Sequence, residues 1–185
     1  MKHVMVDLET LGTSFNALIV AIGACEFDPA TTSIGRTFSI QIDPADALDF
    51  GLVPDISTIM WWMKQSDAAR KQFENKTFPL MHSLNAFNAF VQHDADGNDR
   101  SETVKVWGNG ATFDNVLLRS AFKAIGVKPC WSFRHDCCYR TFKHLLPHIT
   151  ADEQPEAVAH VAVDDAVYQA KHALKLFGAM GAVQP

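Results

Sequence analysis

No part of the sequence is apolar for long enough to cross a bilayer. The longest apolar run, residues 17–25, contains nine residues, whereas a membrane-spanning helix needs about 20. The amino terminus leads directly into a strand-like segment, without the pattern of a secretory signal peptide. Membrane anchoring and secretion are therefore not expected.

Cysteine is scarce as well, and its spacing fits no structural framework. Four cysteines are present, Cys137 and Cys138 are adjacent, and no CxxC pair or Cys/His zinc spacing occurs. Disulfide scaffolds and structural zinc sites are thereby excluded. With 48% hydrophobic and 20% charged residues, the chain is expected to form a single globular domain over residues 1–185, with reduced thiols in the cytoplasm.

Basic residues are outnumbered, which argues against a general binder of polyanions. The formal net charge is −5, with 16 Lys and Arg against 21 Asp and Glu. Residues 119–148 are the exception, because their six basic residues and one acid give +5 and leave −10 for the remainder. This segment is either a basic face beside an acidic centre, which suits an enzyme that holds a phosphate chain through metal ions, or a set of solvated helix faces.

Three predicted strands open the chain. Residues 2–7, 17–27 and 37–42 have apolar or alternating patterns typical of strands. The connections between them are short, and Asp28-Pro29 is typical of a hairpin loop. The three strands are therefore predicted to form an antiparallel meander.

The remainder of the chain favours helices and further strands. Capping residues and apolar spacing predict six helices, over residues 57–63, 66–73, 79–91, 113–125, 136–145 and 164–177. Gly178 is predicted to stop the last of them, and residues 104–107 form a fourth strand. The order β-β-β, helices, β, α, β, α, α predicts an α/β fold with a mixed sheet flanked by helices.

Asp7 and Glu9 lie at the end of the first predicted strand. Residues two apart on a strand point to the same face, so these carboxylates project together and repel each other unless a positive charge lies between them. A hard divalent cation with oxygen ligands is the natural compensation. The commoner alternative for such a pair is that both side chains point into solvent where the strand leaves the sheet.

Further candidates lie at the ends of later elements. Asp114 stands between a strand and a helix, where α/β sheets place ligands, although an Asp there also complements the helix dipole. Asp165 is expected in the first turn of the last helix, with Asp164 as its competitor. Five residues along a helix turn through about 500°, so His160 approaches Asp165 only if His160 lies in the preceding loop.

In combination these residues supply four carboxylates and one histidine that titrates near neutral pH. Two divalent cations held by the carboxylates would stabilise the attacking and leaving oxygens of a phosphodiester. A neutral His160 would take the proton of the attacking water. The set therefore predicts two-metal hydrolysis of a phosphodiester bond.

The motifs resemble those of the DEDDh 3′→5′ exonucleases of the DnaQ-like, RNase H-like superfamily. The matching motifs, in the same order, are Asp7-x-Glu9, Asn109-x-x-x-Phe113-Asp114 and His160-x-x-x-x-Asp165. Four features resemble more narrowly the RNase AS-like branch, which includes phage exonucleases: residues 7–13, Trp61-Trp62 followed by Ser66 and Ala69, residues 107–110 and residues 113–115. The resemblance covers nearly the whole chain and implies an RNase H-like mixed β-sheet flanked by helices. Val161 departs from the polar residue often found after the histidine.

This resemblance also implies roles. Asp7, Glu9 and Asp165 would bind one of two Mg²⁺ or Mn²⁺ ions, Asp7 and Asp114 would serve the other, and His160 would be the general base. The terminal nucleotide would be bound by residues near these motifs, namely Thr10, Leu11, Gly12, Asn109 and Phe113. The implied substrate is the 3′ end of single-stranded RNA or DNA, the products are nucleoside 5′-monophosphates, and a homodimer in a bacterial or phage-infected cytoplasm is expected.

The role of the Trp61-Trp62 pair and two alternative functions of the chain stay open. A tryptophan could stack on a base, but adjacent helical residues point about 100° apart, so we expect one in the core and the other in a subunit contact. A non-catalytic nucleic-acid-binding module should have lost some of the five motif residues, and this chain keeps all five. A hydrolase of short oligonucleotides or nucleotides would use the same metals and differ in substrate length.

Overall fold

The structure is a computed structural model that describes residues 2–153 and 160–181. Its five strands form one sheet in the order β3-β2-β1-β4-β5, with bounds β1 His3–Thr10, β2 Ile19–Asp28, β3 Ser33–Gln41, β4 Lys105–Gly108 and β5 Asp136–Cys138. β1 pairs antiparallel with β2 and parallel with β4, and β5 runs parallel to β4. The predicted meander of β1, β2 and β3 is confirmed.

Seven α-helices occur among the described residues. They are α1 Pro44–Asp49, α2 Ile56–Trp62, α3 Asp67–Arg70, α4 Leu80–Gln92, α5 Asp114–Ala124, α6 Tyr139–Leu145 and α7 Ala162–Gly181. Short 3₁₀ helices cover Lys71–Glu74 and Phe133–His135. No helix in the described ranges is long and apolar enough to span a membrane.

The two faces of the sheet are covered by different helices. Alternate residues of β1, among them Val4, Val6 and Leu8, join the core beneath α4 and α5. Met5, on the opposite face, packs in a second core with apolar residues of α7 such as Ala166 and Ala170. This is the predicted α/β architecture, a mixed sheet flanked by helices.

The parallel strands set the position of the candidate site. β1 and β4 run side by side, so their carboxyl ends meet at one edge of the sheet. Ligands bind at this edge in open α/β sheets, where the chain leaves the strands. Asp7 and Glu9 lie near this end of β1, and Asp114 begins α5 shortly after β4.

Several predicted boundaries are wrong. Residues 136–145 are not one helix, because Asp136–Cys138 pairs with β4 as an edge strand before α6 begins. α7 continues through Gly178, where an added Cβ would meet open space, because glycine is tolerated inside a helix at a modest cost. α2 is capped by Asp55, whose carboxylate accepts from the backbone N–H of Ser57.

Candidate active site and acidic centre

Asp7 and Glu9 lie on the face of β1 that is covered by α7. They continue the alternation that begins with Met5, whose side chain packs against α7. Glu9 is 6% exposed and Asp7 is half-buried. The prediction that the two carboxylates share one face is confirmed by this alternation, and that face is directed toward the helix rather than into solvent.

Asp165 joins them from the first turn of α7. Ligand oxygens of Asp7, Glu9 and Asp165 all lie within 4.8 Å of one another. Asp165, rather than its neighbour Asp164, belongs to this group, although both lie in the first turn of α7.

A glycine on β2 makes this approach of α7 feasible. Gly23 is the register partner of Asp7, and a Cβ added at Gly23 would lie 2.1 Å from the backbone carbon of Ala162. That distance is far inside van der Waals contact, so no larger residue fits there without moving the helix. The start of α7 therefore packs directly against the backbone of Gly23, beside the strand that carries Asp7 and Glu9.

Asp114 reaches the same centre from the start of α5. It is 3% exposed, and it packs closely on β4, because a Cβ added at Gly108 would lie 2.8 Å from the Asp114 Cβ. Its charge raises the pKa of both Asp7 and Glu9. Asp114 stands outside the group of three oxygens that lie within 4.8 Å of one another, but it is electrostatically part of the cluster.

Burial and mutual repulsion make the four carboxyls poor acids. Burial first, and then the charges of Asp114 and Glu9, raise the pKa of Asp7 well above its ordinary value. Burial and the charges of Asp165 and Asp114 raise the pKa of Glu9 to about 8. Burial raises the pKa of Asp114 to about 7, although backbone N–H groups and Arg140 oppose this. Burial also raises the pKa of Asp165.

The donor set fits hard divalent cations. Glu9 Oε1 and Asp114 Oδ2 are buried and have no hydrogen-bond partner in the described parts of the chain. Buried acceptors normally find a partner, and clustered carboxylates need positive charge between them. Oxygen ligands of this kind are those that Mg²⁺, Mn²⁺ and Ca²⁺ prefer, so the residues present suit such ions.

His160 lies in the turn before α7, as its predicted approach to Asp165 requires. Its backbone N–H donates to Asp165 Oδ2 at 3.1 Å, and its φ of 66° is in the left-handed region, which costs a residue other than glycine roughly 1–3 kcal/mol. The ring stands edge-to-face against Trp61 and Trp62, with centroid distances of 4.9 and 6.0 Å. The imidazole is therefore held beside the acidic cluster.

Two cavities open on either side of Glu9. One, of about 320 Å³, is lined by three of the acidic residues, Asp7, Glu9 and Asp165, and by other residues that include Lys143, His160 and Tyr168. The other, of about 460 Å³, is lined by Glu9, Thr10, Thr13, Ser57, Thr58 and Trp61, among others. Leu8 and Glu9 belong to both, so the acidic strand separates them.

The comparisons with known proteins agree with this geometry. A family model described as the 3′-5′ exoribonuclease Rv2179c-like domain matches residues 2–177. The chain belongs to this family. The family description is that of an exonuclease domain, and the resemblance to the DEDDh 3′-5′ exonucleases is confirmed at the level of the family. No curated protein matches the chain.

Solved structures of E. coli exonuclease I share the fold. The zinc-bound form in complex with single-stranded DNA has a TM-score of 0.66 at 15% identity, covering 97% of this chain and 42% of that one. The complex with a dA16 oligonucleotide has a TM-score of 0.66 at 16% identity, covering 97% and 43%. The chain thus spans less than half the length of these proteins, and at this identity they show the RNase H-like fold alone.

The residues that the family resemblance assigned to substrate binding divide into two groups. Thr10 lines the 460 Å³ cavity, and Asn109 lines the 320 Å³ cavity with its buried Oδ1 unpaired within the described residues. Leu11 and Phe113 instead pack against the core. Gly12 is buried, and a Cβ added there would lie 3.1 Å from the Val53 carbonyl oxygen. The last three are outside the lining of both cavities.

The sequence did not predict two residues of the site, Gln169 and Gln72, and it predicted a different role for a third, Trp61. Gln169 donates from Nε2 to Asp7 Oδ1 at 2.7 Å, and it stands one helical turn after Asp165, a spacing that could have revealed it. Gln72 donates to the His160 carbonyl oxygen, a contact across 88 residues that no local pattern reveals. Trp62 is in the core, as expected of one tryptophan, while Trp61 is 43% exposed and contacts His160.

Proposed function

We propose that the chain is a two-metal-dependent 3′→5′ exonuclease that removes nucleoside 5′-monophosphates from the 3′ end of a single-stranded nucleic acid, with RNA as the preferred substrate. The observation that carries the proposal is the convergence of Asp7, Glu9 and Asp165 within 4.8 Å, beside the half-buried His160. The family description, an exoribonuclease domain, supports RNA. The DNA complexes of exonuclease I make DNA the second candidate.

Four carboxylates would hold the cations. Asp7, Glu9 and Asp165 form one oxygen set, and Asp7 with Asp114 forms the other. When bound, Mg²⁺ or Mn²⁺ ions supply positive charge that stabilises the attacking and leaving oxygens of the phosphodiester. Gln169 fixes the orientation of the shared ligand by its hydrogen bond to Asp7 Oδ1, as partners of metal ligands commonly do.

His160 would act as the general base. His160 lines the cavity that also contains Asp7, Glu9 and Asp165, so a water bound at the acidic centre would lie beside this residue. A neutral imidazole removes a proton from that water as the phosphorus is attacked. Histidine suits this task because its ordinary pKa is near neutral.

The 460 Å³ cavity would receive the terminal nucleoside. It opens beside Glu9 and combines an exposed aromatic ring, Trp61, with the hydroxyl groups of Thr10, Thr13, Ser57 and Thr58. A base can stack on an indole without regard to its sequence, and hydroxyl groups can pair with sugar or base edges. Its volume is within the range of about 300–1,000 Å³ that is usual for ligand pockets.

The 320 Å³ cavity would accommodate the chain on the other side of the scissile phosphate. Lys143 contributes the positive charge among its lining residues, and Tyr139 and Tyr168 contribute aromatic rings. Lysine commonly contacts phosphate as a point charge, and the basic segment at residues 119–148 contains Lys143. This arrangement supports the interpretation of that segment as a phosphate-facing surface near the site.

Digestion of matched RNA and DNA single strands, each labelled at the 3′ or the 5′ end, tests the proposal. We expect release of mononucleotides from the 3′ end with Mg²⁺ or Mn²⁺ and none with excess chelator. Asp7→Ala, Asp114→Asn and Asp165→Asn should each abolish cleavage, whereas Asp164→Asn, the matched neighbour outside the cluster, should retain it. Cleavage that persists in Asp7→Ala and Asp114→Asn would refute the proposal.

The same experiment separates the remaining alternatives. A non-catalytic binding module would retain labelled strands without releasing nucleotide, even with excess Mn²⁺. A hydrolase of short oligonucleotides would degrade dinucleotides and leave the upper part of a 5′-labelled ladder intact. Equal rates on both sugars would remove the preference for RNA, which depends on contacts to the 2′-OH.

A further inference from the structure

Gln72 makes a long-range contact to the proposed general base. It lies in the 3₁₀ helix Lys71–Glu74 and is 5% exposed. Its Nε2 donates to the carbonyl oxygens of His160 at 2.5 Å and Ala69 at 2.9 Å. Because these are the two donors of one amide group, the side chain is fixed with its nitrogen toward the turn that carries His160.

The turn that carries His160 depends on such contacts. Its φ of 66° is unfavourable for a residue other than glycine, so surrounding interactions must hold it. The His160 N–H donates to Asp165 Oδ2, and its carbonyl accepts from Gln72. Both backbone polar groups of His160 are thereby anchored, one to the acidic cluster and one to the 3₁₀ helix.

The ring of His160 is restricted from the same side of the molecule. Trp61 and Trp62 on α2 present their rings at 82° and 81° to the imidazole. Trp62 also donates from Nε1 to the Thr10 carbonyl oxygen at 2.9 Å, which ties α2 to the acidic strand. The backbone contact of Gln72 and the two indole rings together restrict the turn and the imidazole of His160.

Gln72 is poorly suited to a purely structural role in the core. Its Oε1 is buried and has no partner in the part of the chain that the structure describes. An unpaired buried acceptor costs free energy, and an apolar side chain of the same length would avoid that cost. The amide therefore contributes through the two N–H groups that it donates, rather than through packing.

We propose that Gln72 is a positioning residue for the hydrolytic reaction and acts through His160. This inference rests on the proposed function of His160 as the general base. Without the amide, the turn relaxes from its unfavourable backbone conformation and the imidazole moves away from the attacking water. Binding of the nucleic acid is unaffected, because Gln72 is outside the lining of both cavities.

Gln72→Met tests the inference, because methionine fills a similar volume without donating a hydrogen bond. We expect kcat to fall by about 10- to 100-fold, the range for small misplacements of catalytic groups, with KM within about twofold of wild type. The thermal midpoint should change little, because removal of the unpaired Gln72 Oε1 offsets the loss of the donor to the Ala69 and His160 carbonyl oxygens. The matched control is Gln92→Met, since the Gln92 amide donates to Asp99 on an exposed surface, and it should leave kcat unchanged.

A double-mutant cycle distinguishes positioning from general support of the fold. If Gln72 acts through His160, Gln72→Met has no further effect on the residual rate of His160→Ala, since coupled residues are not additive. The His160 ring resonances, identified by their loss in His160→Ala, should shift in Gln72→Met. Wild-type kcat in Gln72→Met, or an equal loss in both backgrounds, overturns the inference. If His160→Ala cleaves at the wild-type rate, the assignment of His160 as the general base fails. In that case the ring resonances alone test the inference, and resonances that do not shift in Gln72→Met would show that Gln72 does not position His160.

Discussion

Asp7 and Gly23 are register partners on adjacent antiparallel strands, and the missing side chain of the glycine makes room for the helix that carries Asp165. A Cβ at Gly23 would lie 2.1 Å from the backbone nitrogen of Val163. The acidic centre therefore depends on a residue without any chemistry of its own. Gly108 on β4, on the other side of β1, likewise leaves room for the side chain of Asp114 because it has no Cβ.

Gly23→Ala is expected to displace the start of α7 and to abolish cation binding. The obstructing atoms are backbone, so the helix has to move as a whole and Asp165 moves with it. We expect at least about a 100-fold loss of activity and a lower thermal midpoint. The matched control is Gly178→Ala in the same helix, where the added Cβ meets open space and helix propensity favours alanine. Full Mn²⁺ affinity by calorimetry in folded Gly23→Ala would contradict the account.

The sequence predicts those parts of the site that depend on residues close together in the chain, and it does not predict the parts that depend on distant residues. The alternation of β1 predicted that Asp7 and Glu9 share a face, and the 3.6-residue period showed that His160 can approach Asp165 only from outside the last helix. Both inferences use local geometry alone. Gln72 was not predicted as a contact of His160, because 88 residues separate the pair and only the tertiary fold joins them.

Errors in the predicted elements have the same origin. β5 is three residues long and its residues are half-buried, so no apolar period marks it, and pairing with β4 alone determines it. α7 passes through Gly178 because packing of Ala170, Leu174 and Leu176 stabilises the helix beyond what glycine costs. α1 was missed although Asp43 caps it and Pro44 begins it, a signal that is present in the sequence.

Without cations, the protein should lose stability as the pH rises. Burial and like charges raise the pKa of Glu9 to about 8 and that of Asp114 to about 7, above the values of 4.5 and 3.8 that apply to the unfolded chain. Between about pH 4 and pH 8 the folded chain therefore retains protons that the unfolded chain has lost. The free energy of unfolding falls as the pH rises through this window.

Thermal melts in chelator from pH 5 to pH 8 measure this dependence. Glu9→Gln removes one titrating carboxyl and keeps its shape, so its midpoint should fall less steeply than that of wild type. Each kcal/mol recovered at pH 8 corresponds to about 2–4 °C in a chain of this size. Mg²⁺ or Mn²⁺ should raise the midpoint of wild type at pH 8 and have little effect on Glu9→Gln. Identical slopes for the two proteins would show that Glu9 does not titrate in this range.

Gln169→Met should weaken cation binding without changing the fold. The Gln169 amide donates to Asp7 Oδ1 at 2.7 Å, and it orients the carboxylate that both oxygen sets share. Loss of such a partner costs about 10- to 100-fold in metal affinity. We expect a higher Mn²⁺ concentration for half-maximal activity and nearly full activity at saturation. Wild-type Mn²⁺ dependence in Gln169→Met would show that Asp7 is oriented by other groups.

Trp61→Ala should affect both the base and the bound nucleoside, whereas Trp61→Phe should affect them less. The ring of Trp61 contacts His160 and lines the 460 Å³ cavity, so its removal frees the imidazole and deletes a stacking surface. Stacking on an aromatic side chain contributes about 1–3 kcal/mol per base, so KM should rise by about 5- to 160-fold while kcat falls. Phe133→Ala, which removes another exposed aromatic ring, is the control.

Fluorescence separates the two roles of Trp61. In an Asp114→Asn background, which binds without cleaving, addition of a nucleoside 5′-monophosphate should quench indole emission. The quench should be largely lost in Trp61→Phe, because Trp62 also lines the cavity but is only 4% exposed, and Trp107 and Trp131 are buried and lie outside its lining. A quench that survives in Trp61→Phe would place the base elsewhere. The contact of Trp61 with His160 would then be its whole contribution, and Trp61→Ala should lower kcat at unchanged KM.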